Sequence, residues 1–562
     1  MSSEITAFGD RAWLVVTEDL AAAHRIADAV GRAVEEHTAP PGVADATVGM
    51  ANVVVQLDPP SAVAPDRSAS TDADGDAWRD WLSGLSAHRA TARGTGARAR
   101  PPVDVPTVYD GPDLDEVASL AGTDGAGVAE LLGQAELHVA FIGFSPGFPY
   151  LVGLPDVLAR VPRRSSPRTE VPAGSVALAG GFAGIYPQAT PGGWRVVGRT
   201  PLRLFDPKSA PFALLRSGDR VRLRADDSRG RRSARPSGAG SPRKPLTARG
   251  ARVVEVLDPG LFTTVQDAGR TGVAGIGVPS AGPCDPGAMR LANRLAGNDD
   301  GAAALEITAA GPRLRFGAAA HVAVVGAAPE AVEVSVDGHP AGDSTPVPIE
   351  AGQTLAVGRV TEGFRAYLAV GGGFSLPSVV GSRSSDVLCG LGPGALVAGD
   401  RVAVGPPARP RGSLRAGART DRSTVRVIPG PHPFPAEATE ALVAATWTVS
   451  AASSRIGIRL ESATRRLPPG PAVPSTGMVT GAIQVPPDGR PIVLLPDHAT
   501  VGGYPVVATV IGADLGALGQ LAPGDAVRFV LVDRPAAVAA AWRQEDALAS
   551  RVQGWYPTRP AT

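Results

Sequence analysis

Lysine is nearly absent from this chain of 562 residues, occurring only at Lys208 and Lys244. A Walker-type phosphate loop needs glycines followed by Lys and Ser or Thr, because an ammonium must reach the terminal phosphates while backbone amides cradle them. Lys208-Ser209 follows Phe-Asp-Pro, and Lys244 stands between Arg243 and Pro245, so that loop is missing. The same neighbours exclude a biotin attachment lysine, and the chain carries no biotin of its own. Two cysteines, Cys284 and Cys389, cannot form a disulfide framework. The eight histidines make no H-x-x-x-H or H-x-H pair, which leaves no metal site to propose. No run approaches the ~20 apolar residues of a membrane span. Glu4 and Asp10 stand where a secretory signal needs positive charge. Lys+Arg and Asp+Glu both count 54, so no global charge favours nucleic acid or an anionic membrane. These exclusions point to a cytoplasmic protein whose ligand is a small molecule.

What is present is glycine, proline and arginine in short apolar segments. A chain this long exceeds one ordinary core, so about two to four domains are expected. Residues 1–102 read as a small α/β domain, with a strand at 4–17, a helix of 3.6-residue periodicity at 20–37 and a second strand at 49–59. From 103 to 225 short strands with frequent turn signals replace that pattern, the grammar of a barrel or sandwich. Residues 226–250 form a Gly/Ser/Pro/Arg tract too polar to fold, read as a flexible linker. Two further β-rich units follow at 251–405 and 424–533, separated by a loose insert. A helix and tail occupy 534–562, with Asp533 as cap and Pro535 in the first turn. The fold class is α+β, mostly β.

An internal repeat is visible. Leu-x-x-Gly-Asp-x-Val recurs at Leu215–Val221, Leu396–Val402 and Leu521–Val527, each time closing a β-rich segment. Upstream, Val171-Pro172 with Tyr186-Pro187 reads as a partner of Val485-Pro486 with Tyr504-Pro505. Three related barrels are the economical expectation, one in the first half and two in the second.

Polar groups concentrate in three stretches. Phe141–Pro201 holds Arg163, Arg164, Arg168 and Arg199 among glycines, guanidinium forks suited to carboxylate or phosphate. Leu261–Asn298 brings Gln266, Asp267, Arg270, Asp285, Asn293 and Asn298 together. Ala482–Pro505 brings Gln484, Asp488, Asp497, His498 and Thr500. Turn chemistry alone accounts for many such Asp and Asn residues, but their density beside small residues fits a polar pocket for a small amide or carboxylate. His138 and His498 are the best placed acid/base candidates. Cys284, beside Asp285, is a poor nucleophile.

The strings GFSPGFPYLVGLP, PRRSSPRTEVPAGSVALAGGFAGIYPQATPGGW and GRTPLRLFDP resemble the B-type subunit of the prokaryotic 5-oxoprolinase, the allophanate hydrolase subunit 1 or KipI family. DPGLFTTVQDAGRTGVAGIGVPSAGPCDPGAMRLANRLAGN and GAIQVPPDGRPIVLLPDHATVGGYPVVATV resemble the C-type subunit, the allophanate hydrolase subunit 2 or KipA family. The resemblance implies cyclophilin-like barrels in both halves. It also implies a fused B/C component that opens 5-oxo-L-proline to L-glutamate with ATP and its Mg²⁺, working with a separate homologue of the A-type 5-oxoprolinase subunit. A homo-oligomer is compatible with it. A urea or allophanate amidolyase or carboxytransferase component, or a regulator like the family's kinase inhibitor and antagonist, are the alternatives. On motif position within that resemblance, Arg163, Arg168, Gly174, Ser175, Arg270 and Gln484 would bind substrate or phosphate. His138, Gln266, Asp267, Asp488 and His498 would carry the chemistry. The segments 163–175 and 484–498 are then expected to face each other across one cleft.

Overall fold

The computed structural model describes residues 4–40, 42–58, 72–87, 100–226, 245–414 and 421–552. Most of the linker expected at 226–250, and the last ten residues, lie outside these. Strands Glu4–Ala7, Ala12–Val16, Val43–Gly49 and Asn52–Leu57 form an antiparallel sheet in the order first, second, fourth, third. The expected helix spans Leu20–Glu35. Asp19 starts it by accepting the Ala22 N–H at 2.6 Å, and Ala23, Ile26 and Val30 line its buried face. Alternation along Ala12–Val16 decides what each sheet face meets. Trp13 and Val15 pack with this helix, with Trp78 and Leu82 of a second helix, Asp72–Ala87, and with Phe141 and Val501. Ala12 and Leu14 pack with Met478, Val479, Leu494 and Val506. The N-terminal domain therefore completes its core with residues from both halves.

The first and last β units share one topology. In chain order their seven strands are Val103–Thr107, Leu137–Ile142, Pro149–Val152, Ser175–Ala179, Phe182–Ile185, Arg195–Arg199 and Arg220–Ala225 in one. In the other they are Thr424–Pro429, Trp447–Val449, Gly457–Glu461, Ala482–Gln484, Ile492–Leu494, Val506–Val510 and Ala526–Leu531. Position by position the neighbours agree, and in each the last strand runs parallel to the first. The later unit is a closed barrel, and the earlier one is completed by a bridge between Val108 and Arg199. The middle unit wraps a seven-stranded and a five-stranded sheet round one core, and its closing strand Arg401–Val404 runs antiparallel to the opening Val253–Asp258. Its kinship to the other two is looser.

The Leu-x-x-Gly-Asp repeat has one physical cause in all three places. Gly218, Gly399 and Gly524 have φ of 86°, 87° and 92°, a left-handed turn position. The following Asp accepts the N–H three residues before it, at 2.9 Å each time, from Arg216, Val397 and Ala522. The upstream half of the repeat is aligned differently from the sequence reading. Val171 precedes the strand Ser175–Ala179, whereas Val485 follows its counterpart. Tyr186 follows the strand Phe182–Ile185, whereas Tyr504 precedes a different one. The true counterparts are Ala189-Thr190-Pro191-Gly192-Gly193-Trp194 and Ala499-Thr500-Val501-Gly502-Gly503-Tyr504. Each forms a short ribbon, with Arg168–Val171 and with Thr476–Gly477. The C-terminal helix is Arg534–Arg551, capped by Asp533. Among the described residues no helix is long and apolar enough to cross a membrane.

Candidate functional site

A cavity of about 470 Å³ opens where the N-terminal domain, the second half and the C-terminal helix meet. That size lies in the range of small-molecule sites, roughly 300–1,000 Å³. One wall comes from the first half: Asp10, Arg11, Asp45 and Asp58. A second comes from the loop after strand Phe262–Gln266 and the helix Pro286–Ala296, with Arg270, Ser280, Cys284 and Arg290. His498, Thr500 and Thr509 supply the third from the closed barrel, and Glu545 of the last helix adds a fourth. Direct bonds hold the walls in place. Asp45 accepts the N–H groups of Val273 and Ala274 at 2.9 and 2.8 Å, Gln56 donates to the Met478 carbonyl at 3.1 Å, and Asp10 accepts the Gly512 N–H at 3.0 Å.

The three arginines in the cavity differ in what they have left to give. Arg290 is consumed by Asp300 at 2.9 Å and a fork to Glu545 at 2.5 and 2.8 Å. Arg11 makes no side-chain hydrogen bond among the described residues, its Nε is buried without a partner, and Asp10 and Asp58 act on it only at a distance. Arg270 is 3% exposed. Its Nε and Nη2 donate to the carbonyls of Val379 and Ser384 at 3.2 and 2.7 Å, and its Nη1 has no partner. It joins no carboxylate within ion-pair distance among the described residues, and burial pulls its pKa down. The hydroxyls of Thr500 and Thr509 are likewise buried and unpaired. A buried guanidinium with a spare N–H is costly unless an acceptor fills the place, and a ligand carboxylate or amide oxygen is such an acceptor. His498 is buried with Nδ1 at 2.8 Å from the Ala499 carbonyl, which fixes the tautomer and leaves the Nε2 lone pair open. Burial holds this imidazole below its usual pKa, so it stays neutral.

Behind the cavity lies an ionic core that sequence reasoning missed. Arg455 forks onto Asp497 at 3.0 and 2.8 Å, reaches Glu306, and donates to the Gly282 carbonyl at 2.7 Å. Tyr367 and the Cys284 N–H also bond Glu306, each at 2.8 Å. The Cys284 thiol is pushed up to about 12 by burial, which removes it as a nucleophile. Asp386 stands beside this core. Its Oδ1 accepts the N–H groups of Leu388 and Cys389 at 2.7 and 2.8 Å, while its Oδ2 is buried without a partner. Burial, then the neighbouring Asp497, raise its pKa to about 7. The signals available beforehand were Asp497, already singled out, and a lone Glu in the otherwise uncharged strand Ala304–Thr308.

Of the residues singled out by sequence, Arg270, Cys284, His498 and Thr500 line the cavity; the other candidates do not. This cavity takes in no residue of segment 163–175, which was expected to face segment 484–498; the first half reaches it through residues 8–58 instead. Arg168 forks onto Asp113 at 2.8 Å on both arms, and Arg164 joins the same carboxylate. The Gly174 amide donates to the Tyr186 carbonyl at 2.7 Å and that of Ser175 to Pro172 at 3.3 Å, so neither is free for phosphate. Arg163 is exposed near Tyr150 and Tyr186. His138 lies in a strand of the first barrel with Nδ1 against the Glu136 carbonyl. Asp488 caps an exposed turn through the Arg490 N–H at 3.2 Å. Asp267 is saturated by the hydroxyls of Ser382 and Ser384 and the N–H groups of Arg383 and Gly269. Gln266 donates to Thr264 and Ser385, and Gln484 to the Met478 sulfur. These residues build the scaffold.

Comparison with known proteins agrees with the two-part layout. Residues 3–215 match the carboxyltransferase domain, subdomain C and D, and residues 276–531 match the carboxyltransferase domain, subdomain A and B. The C-type subunit of 5-oxoprolinase from Escherichia coli K12 is 36% identical over 286 residues, 50% of this chain and 91% of that protein. The B-type subunit of 5-oxoprolinase from Escherichia coli O157:H7 is 41% identical over 186 residues, 33% of this chain and 78% of that protein. Urea amidolyase of Lachancea kluyveri is 33% identical over 308 residues, but only 17% of it is covered. The crystal structure of TTHA0988 superposes with a TM-score of 0.78 at 32% identity, covering 92% of this chain and 99% of that one.

Proposed function

Since the chain belongs to the family of the B- and C-type 5-oxoprolinase subunits, carrying both kinds fused, we propose that it is the B/C component of an ATP-dependent lactam-opening enzyme. The substrate is 5-oxo-L-proline and the product L-glutamate. A homologue of the A-type subunit completes the complex. The observation that carries this reading is the cavity between the halves, with Arg270 in its lining and the Nη1 of that residue buried without a partner. A lactam is a resonance-stabilised amide and a poor electrophile, so phosphorylating its oxygen supplies a leaving group that water displaces. This chain's own residues bind and orient: Arg270 Nη1 takes a ligand oxygen, Thr500 and Thr509 bond its amide, and His498 Nε2 accepts a proton. Of the first-barrel groups expected to hold phosphate, Arg168 and the Gly174 and Ser175 amides are engaged elsewhere. In this reading Mg²⁺ enters with the nucleotide.

The test is the full chain with and without a homologue of the A-type subunit, given ATP, Mg²⁺ and 5-oxoproline, measuring ADP and glutamate. Both proteins should be required. Arg270→Gln should lower kcat/KM about 10- to 150-fold, the loss of one charge-assisted hydrogen bond. Unchanged turnover in that variant, or turnover of urea in place of the lactam, would overturn the proposal.

A further inference from the structure

Arg270 and Asp386 each carry one unpaired polar atom, and both side chains are at least 97% buried. They belong to one locus. Arg270 holds the loop that contains Asp386 through the carbonyls of Val379 and Ser384, and it is the cation that acts on Asp386. Asp497 touches the same loop by accepting the Val387 N–H at 3.0 Å, and it is engaged by the fork from Arg455. With Asp497 committed, a proton in this locus goes to Asp386. Arg270 lines the cavity and Asp386 stands behind it, away from the lining.

Resting on the reading of the cavity as the amide site, we propose that Arg270 and Asp386 act as one unit that takes up the ligand's carboxylate together with a proton. The ligand class is then a small amide that bears a carboxylate, and a neutral amide is discriminated against. Before the ligand arrives, ionised Asp386 partly neutralises Arg270. A carboxylate arriving on Nη1 takes over that role and adds one more anion to Asp386, Asp267 and Asp497 around the guanidinium, so Asp386 binds a proton from solvent. No other bond forms or breaks. Asp386 is a positioning residue: it touches the ligand only through Arg270. Of the other groups facing it, Asp497 is paired with Arg455, and burial keeps the Cys389 thiol protonated. His498, next to Asp497 along the chain, is neutral.

The sign follows from linkage: a group that gains a proton on binding makes binding weaker as pH rises through its free-state value. With that value at about 7, affinity for L-5-oxoproline should fall about 25-fold between pH 6.5 and 8.5 at full coupling. Titration calorimetry of the full chain with L-5-oxoproline, in two buffers of different ionisation heat, measures affinity and proton uptake together. 2-Pyrrolidinone, the same lactam without the carboxylate, should bind more weakly and with no pH slope. Asp386→Asn keeps the Oδ1 acceptor for Leu388 and Cys389, and should bind L-5-oxoproline at pH 8.5 as tightly as the unaltered chain does at pH 6.5. A pH slope that persists in Asp386→Asn, or binding without proton uptake in the unaltered chain, overturns the coupling. Equal binding of both lactams does the same and leaves the cavity as the amide site. If neither lactam binds and Arg270→Gln leaves turnover of the complex unchanged, the proposed function fails as well.

Discussion

Replacing Arg455 by Met should cost far more stability than any surface ion pair supplies. Arg455 is 2% exposed and donates to Asp497, Glu306 and the Gly282 carbonyl, with the Cys284 sulfur at 3.3 Å. It thereby joins the closed barrel to the middle unit and to the loop lining the cavity. In the variant Glu306 keeps Tyr367, the Cys284 N–H and Arg365 at 3.5 Å. Among the described residues Asp497 keeps only the Val387 N–H. Leaving a buried carboxylate without its cation costs about 3–5 kcal/mol, against about 0–1 for an exposed pair. The pH dependence is a second check. Burial alone would raise the Glu306 pKa, but the charges of Arg455 and Arg365 outweigh it and hold the group below its ordinary 4.5. A depressed carboxyl stabilises the fold above that ordinary value and loses the contribution as pH falls through the depressed one. Without Arg455 the carboxyl moves up and sheds its charge more easily, so the penalty should be largest at pH 7.5 and shrink toward pH 5. Urea denaturation of both chains at the two values measures it. A penalty below about 1 kcal/mol at pH 7.5, or one that grows on acidification, would refute the reasoning.

Arg168→Ala should lower stability by about 1–2 kcal/mol, because it removes a fork from the buried Asp113, which keeps only Arg164 and the Val196 N–H at 2.7 Å. It should leave lactam binding unchanged, as read by urea denaturation beside calorimetry. Gly174→Ala should cost about 1–3 kcal/mol in the same denaturation assay, since the position has φ 81° and a Cβ there would collide with the Thr200 carbonyl. His432 accepts the Val506 N–H on Nδ1 at 3.0 Å, and burial pushes its pKa down to about 4. The unfolded chain therefore takes up this proton first, and stability should fall as pH drops from about 6.5 to 4, by about 2–3 kcal/mol. An NMR titration placing the His432 midpoint near 6.5 would contradict this.

What was legible in the sequence is what the chain decides locally. The helix Leu20–Glu35 follows from its apolar spacing, and the three Gly-Asp turns from an Asp that bonds its own backbone. The barrel strands follow from alternation bounded by turn residues. The site was legible only in part, because an arginine does not announce its partner. Arg168 and Arg270 look alike in sequence, each within a stretch rich in glycine and proline and each suited to an anion. Arg168 finds Asp113, 55 residues earlier in the chain, and is spent. Arg270 finds two carbonyls and keeps a donor. The cavity walls depend on contacts more distant still: Asp45 with Val273, Gln56 with Met478, and Asn52 with the Ser475 carbonyl across 423 residues.

Those contacts also explain why the two halves act as one body. The N-terminal sheet has two apolar faces; its helices, with Phe141 of the first barrel and Val501 of the last, cover one, and residues 478–506 of the closed barrel cover the other. Cut between the halves, the first would expose Phe8, Ala12, Leu14 and Val54, all buried here. At about 25 cal/mol per Å² of apolar surface returned to water, a face of four such side chains is a strong reason for association. The cavity lies at the edge of that contact, so whatever joins the halves also assembles the site. A variant that loosens the Asp45 or Gln56 anchor should therefore weaken ligand binding by displacing a wall of the cavity, with Arg270, Thr500, Thr509 and His498 unaltered.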